Sequence, residues 1–183
     1  MKHFLGVTTT FSIIIILAAC SNNGSHKKAD AASNHDHSKM EQVENVNTNP
    51  VLENGKLNAV YQHYVHLTTA LTNNDMGEAK IAAVAIEAGA KEVIGASGIA
   101  ASSSRIANAS DIEIQRASYA MLSKDMESLI KKEGLKGGEL YVDFCPMALN
   151  DKGATWISAS KEIRNPYFGD KMLTCGEVQE TIK

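Results

Sequence analysis

The tail of the chain carries two cysteines, each with a methionine two or three residues away: Cys145-Pro146-Met147 and Met172-Leu173-Thr174-Cys175. Thiolate and thioether are soft donors, and a set containing both selects a soft ion such as Cu(I) or Ag(I). Zinc sites are usually built from Cys and His with paired Cys-x-x-Cys spacing, which this tail lacks. Pro146 restricts the backbone beside the first cysteine, so Cys145 and Met147 need not be ordered separately. The competing chemistry is a disulfide. Closing a loop of this length contributes roughly 3–4 kcal/mol in the chain-entropy model, and Met147 and Met172 would then be ordinary core fillers. Spacing alone leans toward the disulfide and leaves the metal site open. A thiol-redox role would need an exposed cysteine of low pKa, and the Cys-x-x-Cys that usually supplies one is absent.

Which of these applies depends on the compartment, and the first twenty residues address that. Lys2 and His3 precede an apolar run from Phe4 through Ile13–Ile16, which ends in Leu17-Ala18-Ala19-Cys20. The run has the layout of a secretory signal and is too short for a permanent bilayer span. Leu-Ala-Ala-Cys resembles the lipobox of bacterial lipoproteins. That resemblance implies removal of residues 1–19, diacylglycerol modification of Cys20 and a membrane partner reached through the lipid anchor. Ser21 is not the Asp that holds many such proteins at the inner membrane, so the resemblance favours the outer membrane, facing the periplasm. Cys145 and Cys175 are then the two thiols left in a compartment where disulfides form.

Residues 20–50 read as a lipid-anchored tether. Between Ser21 and Pro50 there is no Leu, Ile, Phe or Trp, which is too little apolar surface to fold. His26, His35-Asp36-His37 and Met40 lie within it, and His35 and His37 are weak candidate ligands, since imidazole suits copper and zinc.

The elements that must position the sulfur residues follow, over residues 51–183. Leu57, Val60, Tyr61, Tyr64, Leu67 and Leu71 recur at helical spacing. Asp75 with Glu78 has the form of a capping box, opening a helix with a stripe from Ala79 to Ile94. Gly95 to Asn108 is a fraying helix end or a loop. Ser110 with Glu113 marks a further start, followed by Ile114, Ala117, Met121, Leu122, Leu129 and Ile130, with Gly134 as the stop. The expected fold is mainly α: an antiparallel bundle of three, at most four, helices with a short C-terminal β-hairpin. Leu140, Val142 and Phe144 form its first strand and Ala154–Ser158 the second. His63 and His66, one turn apart on the first helix, are second-rank ligand candidates beside their apolar stripe. Arg164 and Tyr167 are expected to lock the tail onto the bundle.

Composition removes other classes of function. With 18 basic against 21 acidic side chains, a net charge of −3 and 5% aromatics, the chain lacks the basic patch and stacking platforms of nucleic-acid binders. No phosphate-binding loop, dinucleotide fingerprint or nucleophile elbow is present, and no catalytic role is expected.

Three stretches of the tail carry a family likeness: Tyr141-Val142-Asp143-Phe144-Cys145-Pro146-Met147-Ala148, Glu162-Ile163-Arg164-Asn165-Pro166-Tyr167-Phe168-Gly169 and Met172-Leu173-Thr174-Cys175-Gly176, with Gly153 and Trp156-Ile157-Ser158 between. Together they resemble the domain-of-unknown-function 3347 family. Its members occur as stand-alone exported lipoproteins and as C-terminal extensions of copper/silver efflux adaptors. The likeness runs from about Val51 to the end and is most specific in the tail. It implies heavy-metal handling, most simply Cu(I) or Ag(I) held by Cys145, Met147, Met172 and Cys175, with a metal-efflux adaptor or copper chaperone as partner. The alternative is an envelope protein stapled by a Cys145–Cys175 disulfide.

Overall fold

The first helix forms where the apolar spacing is strongest. In the computed structural model, which describes residues 49–183, α1 runs Gly55–Thr72 and buries all six apolar residues of its stripe. The Asn54 side chain caps it, accepting from the N–H groups of Lys56 and Leu57 at 3.1 Å each. Asn73 ends it, and Asn74 takes a left-handed φ of 59°, which asparagine tolerates. Asp75 then caps α2 (Met76–Ala90), accepting from the Glu78 N–H at 2.9 Å. Ala79, Ala82, Ala83, Ile86 and Ala90 face inward, and these small residues let α2 pack closely between its neighbours. Ile94, placed in that stripe by sequence, lies beyond the helix and is 92% exposed.

Two of the helices differ from the sequence reading. Residues 97–107 are a helix of their own, α3 (Ser97–Ala107), so the bundle has four long helices. Its buried positions are Ile99, Ser102, Ser103 and Ile106. The spacing is helical, but two of the four inward residues are serine, which hides the stripe from a hydropathy pattern. The next helix, α4, runs Ile112–Glu133 and is capped by Asp111 rather than Ser110, with the Ile114 N–H donating to it at 2.9 Å. The first half of α4 buries Gln115, Arg116, Ser118 and Tyr119, while Ile114 and Met121 are exposed. Gln115, Arg116 and Ser118 thus share the inward face there with Tyr119. The guanidinium donates to the carbonyls of Pro166 (2.9 Å) and Leu71 (3.3 Å) and to the Asn74 side chain (2.8 Å), and it pairs with Glu113. Arg116 thus ties the tail to the α1–α2 turn. Arg164 does not take that role; it is exposed and pairs with its neighbour Glu162. Gly134, with φ 87°, stops α4 as expected.

Two small sheets complete the structure. A ribbon pairs β1 (Val51–Leu52) antiparallel with β2 (Leu135–Gly137), joining the chain before α1 to the chain after α4. The second sheet has the order β4-β3-β5. The expected hairpin is present: β3 (Leu140–Cys145) pairs antiparallel with β4 (Ala154–Ser158), Asp143 opposite Trp156 and Cys145 opposite Ala154. A third strand, β5 (Glu177–Ile182), was hidden by its polar sequence and pairs along the other edge of β3, with a bulge opposite Val142/Asp143. The outer strand β4 packs on α4, and the Ile157 N–H is capped by the Tyr64 hydroxyl at 3.0 Å. That hydroxyl also accepts from Tyr119 and bonds Ser123, each at 2.9 Å, so a buried hydroxyl network fastens sheet to bundle. Tyr167 joins it from the tail, its ring 5.6 Å from that of Tyr119 and its hydroxyl donating to the Thr155 carbonyl at 2.6 Å.

Among the described residues, no helix is long and apolar enough to cross a membrane. Cys20, His35, His37 and the proposed signal and tether lie outside the described residues.

Candidate metal site

Cys145 ends the central strand β3 and is fully buried. Cys175 comes thirty residues later, in the turn between a 3-10 helix (Gly169–Lys171) and β5, and is half-buried. The fold sets the two sulfurs 3.1 Å apart, as free thiols. A disulfide needs 2.03–2.05 Å. Two thiolates sharing one ion at bonds of about 2.3 Å stand about 3.8 Å apart if tetrahedral and about 4.6 Å apart if linear. The pair lies between the disulfide and the metal geometries, and a shift of roughly 1 Å by the Cys175 loop reaches bonding distance on one side or the tetrahedral spacing on the other.

Two residues hold that loop in place. Asn165 is buried and works as a clamp. Its side-chain nitrogen donates to the Cys175 carbonyl at 2.7 Å, its own N–H to the Leu173 carbonyl at 2.8 Å, and its side-chain oxygen accepts from the Tyr167 N–H at 2.8 Å. Gly176, with φ 141°, lets the backbone pass against the sheet. A Cβ there would fall 2.9 Å from the Phe144 carbonyl oxygen and 2.9 Å from the Trp156 ring, so only glycine fits without displacement.

The other candidate ligands are placed as follows. The Met172 carbonyl accepts the Cys175 N–H at 3.1 Å, and its side chain is half-buried. Met147 is 45% exposed and lines a groove of about 630 Å³ with Ala117, Leu149, Tyr167 and Phe168. The turn after it, Ala148–Asp151, holds Leu149, Asn150 and Asp151 at φ values of 56–60°, an unfavourable conformation for leucine. His63 and His66 lie on the exposed side of α1, and His66 is bonded to Glu78 at 3.0 Å. Among the described residues, no histidine, carboxylate or third cysteine joins the thiol pair in a cluster that could hold an ion. The side chains brought into contact there are the two thiols.

The contact between the thiols bears on Cys175. The Cys175 pKa is raised above its ordinary value, first by the hydrogen bond with Cys145 and then by burial. Asp143, which nothing in the sequence singles out, is fully buried in β3 with both carboxylate oxygens lacking a hydrogen-bond partner. Burial pushes its pKa up to about 7, because an isolated carboxylate loses its hydration there. A lone Asp in Leu-Tyr-Val-Asp-Phe-Cys becomes conspicuous only once that strand is placed in the centre of a sheet.

A family model described as "Protein of unknown function (DUF3347)" matches residues 60–138. The match covers most of α1, then α2, α3, α4 and β2, and ends before Cys145, whereas the likeness read from the sequence was most specific in the tail. No curated protein and no solved structure matches the chain.

Proposed function

We propose that this chain, whose residues 60–138 match the DUF3347 family model, binds one soft metal ion, Cu(I) or Ag(I), through Cys145 and Cys175. The carrying observation is the meeting of two thiols at 3.1 Å with no histidine, aspartate or glutamate clustered with them among the described residues. Two soft donors without hard ones disfavour Mg²⁺ and Ca²⁺ and suit monovalent coinage metals. Met172, whose carbonyl accepts the Cys175 N–H, is the first candidate for a third, thioether donor; Met147, exposed in the groove beside Tyr167, is the second. In the cell the protein is lipid-anchored at Cys20 in the outer membrane, facing the periplasm, and passes the ion to an efflux adaptor or copper chaperone.

The test is competition for Cu(I) against a chromophoric chelator under reducing, oxygen-free conditions. It uses the full chain in detergent micelles with Cys20→Ala, so that the only thiols are the pair. Cys145→Ser and Cys175→Ser should each abolish tight binding while circular dichroism stays helical. Met172→Leu should weaken binding more than Met147→Leu. Equal affinity in the parent and both serine variants would remove the proposal.

The same proximity favours a second reading, a Cys145–Cys175 disulfide that pins the tail to the sheet. Under it, the isolated parent protein contains no free thiol and takes up no ion even after mild reduction.

A further inference from the structure

The two cysteines differ in access, and the difference assigns them different chemistry. Cys145 is on the central strand with 0% of its surface exposed. Cys175 is half-buried on a turn whose neighbours Thr174 and Glu177 are exposed. An external sulfur compound can meet the second thiol and not the first. We propose that the pair is a redox lock entered through Cys175, which exchanges with an external disulfide while Cys145 resolves the product, and that closing the lock excludes the soft ion. The last clause rests on the metal-binding reading above; the order of exchange does not.

The steps balance as ordinary thiol–disulfide exchange. The Cys175 thiolate attacks one sulfur of an external disulfide RSSR, forming a Cys175–S–S–R bond and releasing RS⁻, which takes up the proton lost by Cys175. The Cys145 sulfur, 3.1 Å away, then attacks the Cys175 sulfur. The internal disulfide forms, and a second RS⁻ leaves with the Cys145 proton. In sum, two protein thiols are oxidised and one RSSR is reduced to two RSH. The second step requires a sulfur movement of only about 1 Å to reach bonding distance, within the reach of a turn held by the Asn165 clamp. Oxidation consumes both donors, so the closed form has no thiolate to offer a metal, and a bound ion in turn holds both sulfurs away from RSSR.

The experiment treats the reduced full chain, carrying Cys20→Ala in detergent micelles, with oxidised glutathione and reads the products by intact mass and peptide mapping. Three proteins are compared: the parent, Cys145→Ser and Cys175→Ser. The parent should end with an internal disulfide and no adduct. Cys145→Ser should stop at one glutathione on Cys175. Cys175→Ser should stay unmodified until denaturant exposes Cys145, and its full modification in denaturant shows that the thiol is present. An adduct on Cys145 in the folded Cys175→Ser variant, a stable adduct on the parent, or no reaction of Cys175 in the Cys145→Ser variant would each overturn the assignment. Cu(I) retention is scored separately on the reduced and oxidised parent. Retention by both forms refutes exclusion alone, whereas retention by neither removes the metal reading and leaves the exchange order to stand on the mass data.

Discussion

Replacing Asp143 by asparagine should make this protein more stable at neutral pH while leaving it unchanged in acid. Asp143 is fully buried, and neither oxygen has a hydrogen-bond partner. Its pKa is held at about 7 against 3.8 for a free side chain. Between those values the folded protein keeps a proton that the unfolded chain has released, so the native state binds more protons and stability falls as pH rises. The contribution is fully present below about pH 4, declines by about 1.4 kcal/mol per pH unit, and is gone above about pH 7. The total is at most about 4 kcal/mol, a large share of the roughly 5–15 kcal/mol typical of a domain. An asparagine side chain has nearly the shape of the protonated acid and cannot ionise. The assay is urea unfolding of the reduced, metal-free protein at pH steps from about 4 to about 8, comparing parent with Asp143→Asn. All groups other than residue 143 are common to the two proteins and cancel in the difference. The two proteins should agree at about pH 4, with the variant leading by up to about 4 kcal/mol at about pH 8. A difference that stays flat with pH, or grows toward acid, would refute the claim that this carboxyl is buried as the neutral acid.

Other outcomes follow from the same structure. Arg116→Met should cost about 3 kcal/mol in urea unfolding, because the buried carbonyls of Leu71 and Pro166 lose a charged donor. Tyr64→Phe, which removes the hydroxyl that caps the Ile157 N–H, should cost about 1–3 kcal/mol by the same assay, without loss of helix by circular dichroism. Gly176→Ala should destabilise the tail by about 1–3 kcal/mol and lower Cu(I) affinity in chelator competition, since its Cβ would press on Phe144 and Trp156 and shift Cys175. Destabilisation with unchanged affinity would show that the Cys175 turn adapts independently of the sheet.

Some of this architecture is legible in the chain because its residues act locally. Most inward positions of α1 are large apolar residues, and both α1 and α2 open on an asparagine or aspartate cap, so spacing and caps locate these helices. The β3–β4 hairpin is similarly readable from alternation between turns. The rest depends on tertiary context. In α3 serines occupy two inward positions. In the first half of α4 an arginine and a glutamine are buried while isoleucine and methionine face out, the reverse of what hydropathy indicates. Strand β5 is an exposed edge whose residues are chosen for water. At the site, residue types named the two cysteines, but only the fold brings together positions thirty apart. His63 and His66 stay on the exposed side of α1, with His66 bonded to Glu78. Asp143 and Asn165 matter for what surrounds them, which no local pattern records.

The most direct measurement is an anaerobic native mass spectrum of the reduced full chain carrying Cys20→Ala, released from detergent micelles after addition of one equivalent of Cu(I). Metal binding by the thiol pair predicts one retained ion per chain in the parent and none in Cys145→Ser or Cys175→Ser. A parent protein that flies without copper while both thiols are reduced and free would contradict it.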